Sequence, residues 1–202
     1  MESDEPKRTL AELGEFALID KMVRDREQPS VVLVGPGDDA AVVLSPDGRS
    51  VVSTDMLVEG RHFRLDWSTP RDIGRKAIAQ NAADIEAMGA TPTAFVVAFG
   101  APGATPSEDA IALSDGMWEE ARRFGAGIVG GDLVAAPQWV ISVTVVGDLS
   151  FRAPVLLNGA RAGDTVAVVG DLGRSAAGYW LLRNGIPGHD EFRRLHLTPE
   201  VP

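Results

Sequence analysis

Apolar positions recur along this chain at two spacings. Leu10, Leu13, Phe16, Ile19 and Val23 follow a helical period, and Thr9 stands where an N-cap would, which predicts a helix reaching about Asp25. Pro29 closes that region. Residues 31–34 are a short continuous apolar run, predicting a buried strand, and a second strand is predicted over 40–44. Ser45-Pro46-Asp47-Gly48 carries turn chemistry, so residues 51–54 are predicted to return as the partner of that second strand. Thr69-Pro70-Arg71-Asp72 opens the next helix, with proline at its first position and an acid in its first turn. Its stripe is Ile73, Ala77, Ile78, Ile85 and Met88, and Gly89 is its stop. A strand over 93–99 follows, then a Pro/Gly loop. Ser107 is predicted to cap a helix reaching Phe124. Ile128 and Val129 lead into a Gly130-Gly131-Asp132 loop, and 139–146 reads as a longer strand. A new unit begins near Phe151, with a strand over 165–169, a helix over 175–183 and a polar remainder beyond Gly185.

Composition narrows the class. The 202 residues are 45% hydrophobic, enough for a sizeable core and against global disorder. The net charge of −10 argues against a nucleic-acid partner, which favours a basic face, and suits a site for hard cations. With no cysteine, disulfides, thiolate catalysis and cysteine-based zinc sites are excluded. His62, His189 and His196 have no metal-ligand spacing. No apolar run is long enough to span a bilayer, and the charged start lacks the apolar stretch of a signal peptide. A cytoplasmic protein with no membrane partner is expected.

The candidate chemistry is carboxylate chemistry. Gly35-Pro36-Gly37-Asp38-Asp39-Ala40 superficially fits a dinucleotide fingerprint, but a strand follows it where that fingerprint needs a helix. No P-loop motif is present. A triphosphate handled without one needs bridging cations, and Mg2+ is held by a few carboxylates plus phosphate oxygens. Asp38, Asp55 and Asp132 each end a predicted strand, which could set them along one edge of a sheet. Ser53 or Thr54 could add an oxygen. Asp84 projects from a helix among small neighbours, where a plain surface acid is the competing reading. His62 reads either as an ordinary loop histidine or as a donor to a phosphate beside the metals. Trp67, Trp118, Trp139 and Trp180 could suggest a stacking box, with Trp118, on a helical stripe, better explained as core or interface.

Four blocks in this order carry a resemblance: Gly37-Asp38-Asp39-Ala40-Ala41, the stretch from Ser53-Thr54-Asp55 through Glu59-Gly60-Arg61-His62-Phe63, Asn81-Ala82-Ala83-Asp84 onward, and Gly130-Gly131-Asp132. Together they resemble the thiamine-monophosphate kinase family, in the aminoimidazole ribonucleotide synthetase-like superfamily. The resemblance implies ATP-dependent phosphorylation of thiamine monophosphate to thiamine diphosphate. It implies several Mg2+ ions bound by Asp38, Ser53, Thr54, Asp55, Asp84 and Asp132. It places Gly131 and Asp132 by the ATP phosphates and His62 against the thiamine phosphate. No residue is assigned as a general acid or base. The implied fold is α+β: a mixed sheet with flanking helices, pairing across a homodimer into a barrel-like core, followed by a truncated second α/β domain.

The domain reading is a flexible tail over 1–12, an N-terminal ATP/Mg-binding and dimerisation domain over 13–150, and the beginning of an incomplete C-terminal domain over 151–202. The chain departs from the family pattern at Ala82-Ala83, Leu133 and Leu157, the last standing where the family carries an ATP-contacting arginine. Two alternatives stay open: a related ATP-using enzyme with another small-molecule substrate, and a dimerising, nucleotide-binding fragment without catalysis.

Overall fold

Buried and half-exposed side chains alternate without a break along strand β6 (Val140–Asp148), the second of four strands in the main sheet. The computed structural model describes residues 8–36 and 40–201. Asp38 and Asp39 lie outside the described residues. The remaining elements are α1 (Leu10–Leu13), α2 (Glu15–Val23), β1 (Val32–Val34), β2 (Val42–Val43), β3 (Val51–Val58), α3 (Pro70–Ala87), β4 (Thr91–Ala101), α4 (Ser107–Arg123), β5 (Gly127–Ala135), α5 (Arg174–Arg183) and α6 (Asp190–Leu197). The main sheet runs β3-β6-β4-β5. β3 and β4 are both antiparallel to β6, and β5 lies parallel to β4, so the sheet is mixed and the fold α+β. Among the described residues no helix is long and apolar enough to cross a membrane.

One face of the sheet is covered and the other is open. Ile141, Val143 and Val145 of β6 point inward with Leu57 of β3 and Phe95 and Phe99 of β4. They meet Ile73, Ile78 and Ile85 of α3, all fully buried. Each such aliphatic side chain contributes roughly 1.5–3 kcal/mol on leaving water. The outward positions alternate with these: Val52, Met56, Val96 and Val134 are 61%, 47%, 40% and 53% exposed.

Helix α3 starts where local chemistry predicts. Thr69 and Asp72 form a reciprocal capping box, Pro70 fills the first turn, and Gly89 at φ 74 ends the helix. It crosses α4 at close range through two glycines. A Cβ built on Gly74 would lie 2.1 Å from the Leu113 carbonyl oxygen, and one on Gly116 would lie 2.0 Å from that of Arg71. Glu120 of α4 is buried beside this crossing, bound by Arg75 at 3.2 Å and Arg123 at 3.0 Å. Two guanidiniums offset the desolvation of that carboxylate.

Several expectations are corrected. The helix predicted from Thr9 breaks at Gly14, whose φ of 79 leaves the helical region, although the Thr9–Glu12 capping box forms. β2 pairs with β1 in a small separate sheet, and β3 pairs with β6. Ser107 is the first residue of α4, and Pro106 holds the cap position. Residues 165–169 form no strand, and residues 190–197, read as polar remainder, form α6. Asp55 and Asp132 lie within strands β3 and β5, not at their ends. Trp118 and Trp139 are core residues, and Trp180 is exposed, so the tryptophans make no stacking box.

Replacing Gly116 by alanine should lower stability by about 1–3 kcal/mol, because the methyl group meets backbone that cannot yield. A denaturant melt checks this, and an unchanged midpoint would contradict the close crossing.

Candidate functional site

Helix α3 runs antiparallel to β3 and presents Lys76, Gln80 and Asp84 at i, i+4 and i+8, a single face of a helix. Each meets a successive part of the β3 segment in reverse order. Asp84 Oδ2 accepts from the Ser53 hydroxyl at 3.0 Å. Gln80 donates its amide N–H to Asp55 Oδ2. Lys76 Nζ donates to the His62 carbonyl at 2.7 Å. Between them Asn81, with no exposed surface, accepts from the Asp55 backbone N–H at 3.0 Å and donates to the Ala77 carbonyl at 2.9 Å. Asp55 Oδ1 accepts from the following backbone N–H at 2.8 Å. Ser53, Asp55 and Asp84 are thus gathered at one corner, where β3 is an edge strand.

The donor set at this corner is two carboxylates and a hydroxyl, all hard oxygens. No group of three or more His, Cys, Asp or Glu side chains that could hold a metal occurs among the described residues. That is too few for an all-protein cage. It fits Mg2+, which keeps waters and takes one or two carboxylates alongside substrate phosphates.

The structure separates Thr54, Gly131 and Asp132 from this corner. Thr54 points to the open face, its hydroxyl 3.0 Å from the Val143 carbonyl and 3.1 Å from the Thr144 hydroxyl. Asp132 pairs in register with Ala98 on the same open face, and its Oδ1 accepts from the Leu133 N–H at 2.9 Å. β3 and β5 are opposite edges of the sheet. Three inter-strand steps, about 14 Å, lie between them. The Gly130-Gly131-Asp132 segment is strand because β5 stays paired to β4 after a bulge at Val129. Gly131 is required there, since a Cβ would lie 2.0 Å from the Val97 carbonyl oxygen. Beside it, between α2, α4 and β5, is an apolar cleft of about 110 Å³ walled by Met22, Val97, Phe99, Met117 and Trp118, with Asp132 at its rim. Leu133 packs against the core, and Leu157 is fully exposed.

His62 lies on the turn that follows β3. Its Nδ1 accepts from the Val58 N–H at 3.0 Å, so the neutral ring carries its proton on Nε2 and donates there. This turn forms one wall of a second cavity, of about 330 Å³, closed by Lys76 of α3, Tyr179 and Arg183 of α5 and His196 of α6. Burial lowers the Lys76 pKa from the usual lysine range. Burial, and then the charge of Lys76, lowers that of His196.

Lys76, Gln80 and Asn81 were not singled out from sequence as site residues. The usable signal was their spacing from Asp84 on an otherwise apolar, alanine-rich helix, which ordinarily reads as a solvated face. Asn81→Ala should cost about 1–3 kcal/mol of stability, because it leaves the Asp55 N–H without its buried acceptor. Urea unfolding measures this, and a change within error would remove Asn81 from the account.

A family model described as AIR synthase related protein, N-terminal domain, matches residues 37–149. The chain is 70% identical over 194 residues to thiamine-monophosphate kinase of Mycobacterium tuberculosis (strain ATCC 25618 / H37Rv), covering 96% of this chain and 58% of that protein. The crystal structure of thiamine monophosphate kinase from Aquifex aeolicus is similar with a TM-score of 0.72 at 30% identity, over 95% of this chain and 62% of that one. AaThiL complexed with AMPPCP and TMP is similar with a TM-score of 0.71 at 31% identity, over 98% of this chain and 62% of that one. The chain therefore spans about 58% of the length of the mycobacterial relative.

Proposed function

The chain belongs to the AIR synthase related family through the domain at residues 37–149, and on that premise we propose that it serves ATP-dependent transfer of a phosphoryl group to the phosphate of thiamine monophosphate, giving thiamine diphosphate. The observation that carries this reading is the gathering of Ser53, Asp55 and Asp84 by one face of α3, on the segment that also holds His62. The relatives' names and the AMPPCP and TMP of the AaThiL complex supply the substrates.

In this reading Asp55, Asp84 and Ser53 hold Mg2+, with Asp38, Thr54 and Asp132 completing the set. Bound Mg2+ would neutralise charge on the two phosphate groups that must approach each other. The chain's own residues do the positioning. Gln80 and Asn81 fix the Asp55 carboxylate and backbone, and His62 donates its Nε2–H to the acceptor. Gly131 and Asp132 lie by the ATP phosphates. Phosphoryl transfer is served mainly by alignment and charge stabilisation, so the absence of an evident general base is no obstacle.

Asp132 and Thr54 face the open side of the sheet, which is apolar and uncovered in one chain. A homodimer that buries this face, the two sheets closing into a barrel-like core, would cover Asp132 and Thr54. Isologous pairing of a self-complementary face is the common way to cover such a surface. Residues 13–150 form the ATP/Mg-binding and dimerisation unit in this assignment. Residues 151–202 begin a second one. The second reading is nucleotide binding without turnover.

ADP release with thiamine monophosphate as acceptor tests the reading. Asp55→Ala and Asp132→Ala should each lower the rate by about 100-fold or more while circular dichroism stays unchanged. Near-parental turnover in either variant would overturn the metal assignment. Absence of turnover in the parent, with nucleotide still bound, would favour the second reading.

A further inference from the structure

The carboxylate oxygens at the β3–α3 corner are not equally free. Asp55 Oδ1 accepts from the Met56 backbone N–H at 2.8 Å, and Asp55 Oδ2 accepts from the Gln80 side-chain amide. Asp84 Oδ2 accepts from the Ser53 hydroxyl at 3.0 Å. That hydroxyl gives its one proton to Asp84 and keeps its lone pairs for another partner. Met56 is held in register opposite Ser142, so its N–H cannot swing away from Asp55.

Gln80 is the member whose side chain is free of the strand. It is half-buried on α3, one helical turn before Asp84, and its neighbours Ile78 and Ala79 are buried, which fixes the backbone it hangs from. A carboxylate only accepts, so the amide that faces Asp55 presents its N–H. Asp55 therefore has an N–H dipole on each oxygen. A cation gripped by one oxygen competes with one of these dipoles. A cation gripped by both oxygens competes with both.

This difference bears on which cation the corner takes. Mg2+ uses single carboxylate oxygens, keeps several waters and demands an octahedral shell, whereas Ca2+ takes about six to eight oxygens and often draws two from one carboxylate. With each acid giving one oxygen, Asp55, Asp84 and Ser53 supply half of an octahedral shell and leave the rest to water and phosphate. A Ca2+ shell needs more oxygens from the same side chains.

We propose that Gln80 is a positioning residue that sets cation selectivity here: by holding Asp55 Oδ2 it keeps Asp55 a one-oxygen ligand and so favours Mg2+ over Ca2+. The proposal rests on the functional reading above and adds to it which cation accompanies the polyphosphate. Ser53 acts in the same sense on Asp84, since it occupies one oxygen of that acid as well. Gln80 works through Asp55 and does not touch the cation. A rotated amide with its Oε1 on the cation would be a ligand instead, and its removal would weaken both cations alike.

Gln80→Met keeps the length of the side chain and removes the donor. Titration calorimetry on the full chain measures a non-hydrolysable ATP analogue as its preformed Mg2+ and Ca2+ complexes, each with the metal in excess. The parent should bind the Mg2+ complex more tightly, and the variant should shift the ratio toward Ca2+ by about 10-fold. An unchanged ratio, or equal weakening of both complexes, would overturn the proposal and leave the metal corner standing. If the parent binds neither complex, the corner and the functional reading fall together with it. Infrared difference spectra of the parent, Mg2+-loaded minus metal-free, supply a check that needs no variant. The carboxylate stretches should move to the pattern of one-oxygen coordination, and a two-oxygen pattern would overturn the proposal.

Discussion

A single buried amide holds the candidate site together. Asn81 has no exposed surface, and its side chain joins the Asp55 N–H on β3 to the Ala77 carbonyl within α3. That bridge fixes how the helix lies along the strand. Once it is set, the spacing of an α-helix does the rest, because Lys76, Gln80 and Asp84 fall on the same face and meet His62, Asp55 and Ser53 in turn. The arrangement also explains why an edge strand carries polar side chains inward. Ser53 and Asp55 occupy inward positions that Val145 and Val143 fill on the neighbouring strand, and α3 supplies the partners that make those positions tolerable.

The sheet divides the chemistry between two faces. Its inner face is a conventional aliphatic core under α3 and α4, anchored by the glycine crossing and by Glu120 between its arginines. Its outer face combines exposed Val52, Met56, Val96 and Val134 with Thr54 and Asp132. In the proposed dimer, the face that is covered also carries Asp132 and Thr54 of the candidate set.

What could be read from sequence was chiefly local. The N-cap at Thr9, the helix opening at Thr69-Pro70-Arg71-Asp72 and the stop at Gly89 depend on neighbours within one helical turn, and they formed as expected. Contacts distant in sequence were less legible. Gly130-Gly131-Asp132 has loop chemistry, but pairing with β4 keeps it in a strand. Residues 165–169 have strand chemistry, but no strand pairs with them among the described residues. At the site, Ser53, Asp55 and Asp84 were recognisable as oxygen donors. The residues that orient them were not, because a glutamine and a lysine on a helix ordinarily face water. The cationic cavity was hidden for the same reason, since its walls come from the turn after β3, α3, α5 and α6 and only folding brings them together.

The central claim is that the carboxylates at the β3–α3 corner bind polyphosphate through divalent cations and not directly. Titration calorimetry of the full chain with a non-hydrolysable ATP analogue tests it, run once with Mg2+ and once with a chelator. Two acids and no P-loop offer a bare triphosphate only repulsion, so binding should be seen with Mg2+ and lost without it. Equal affinity in both conditions would contradict the account.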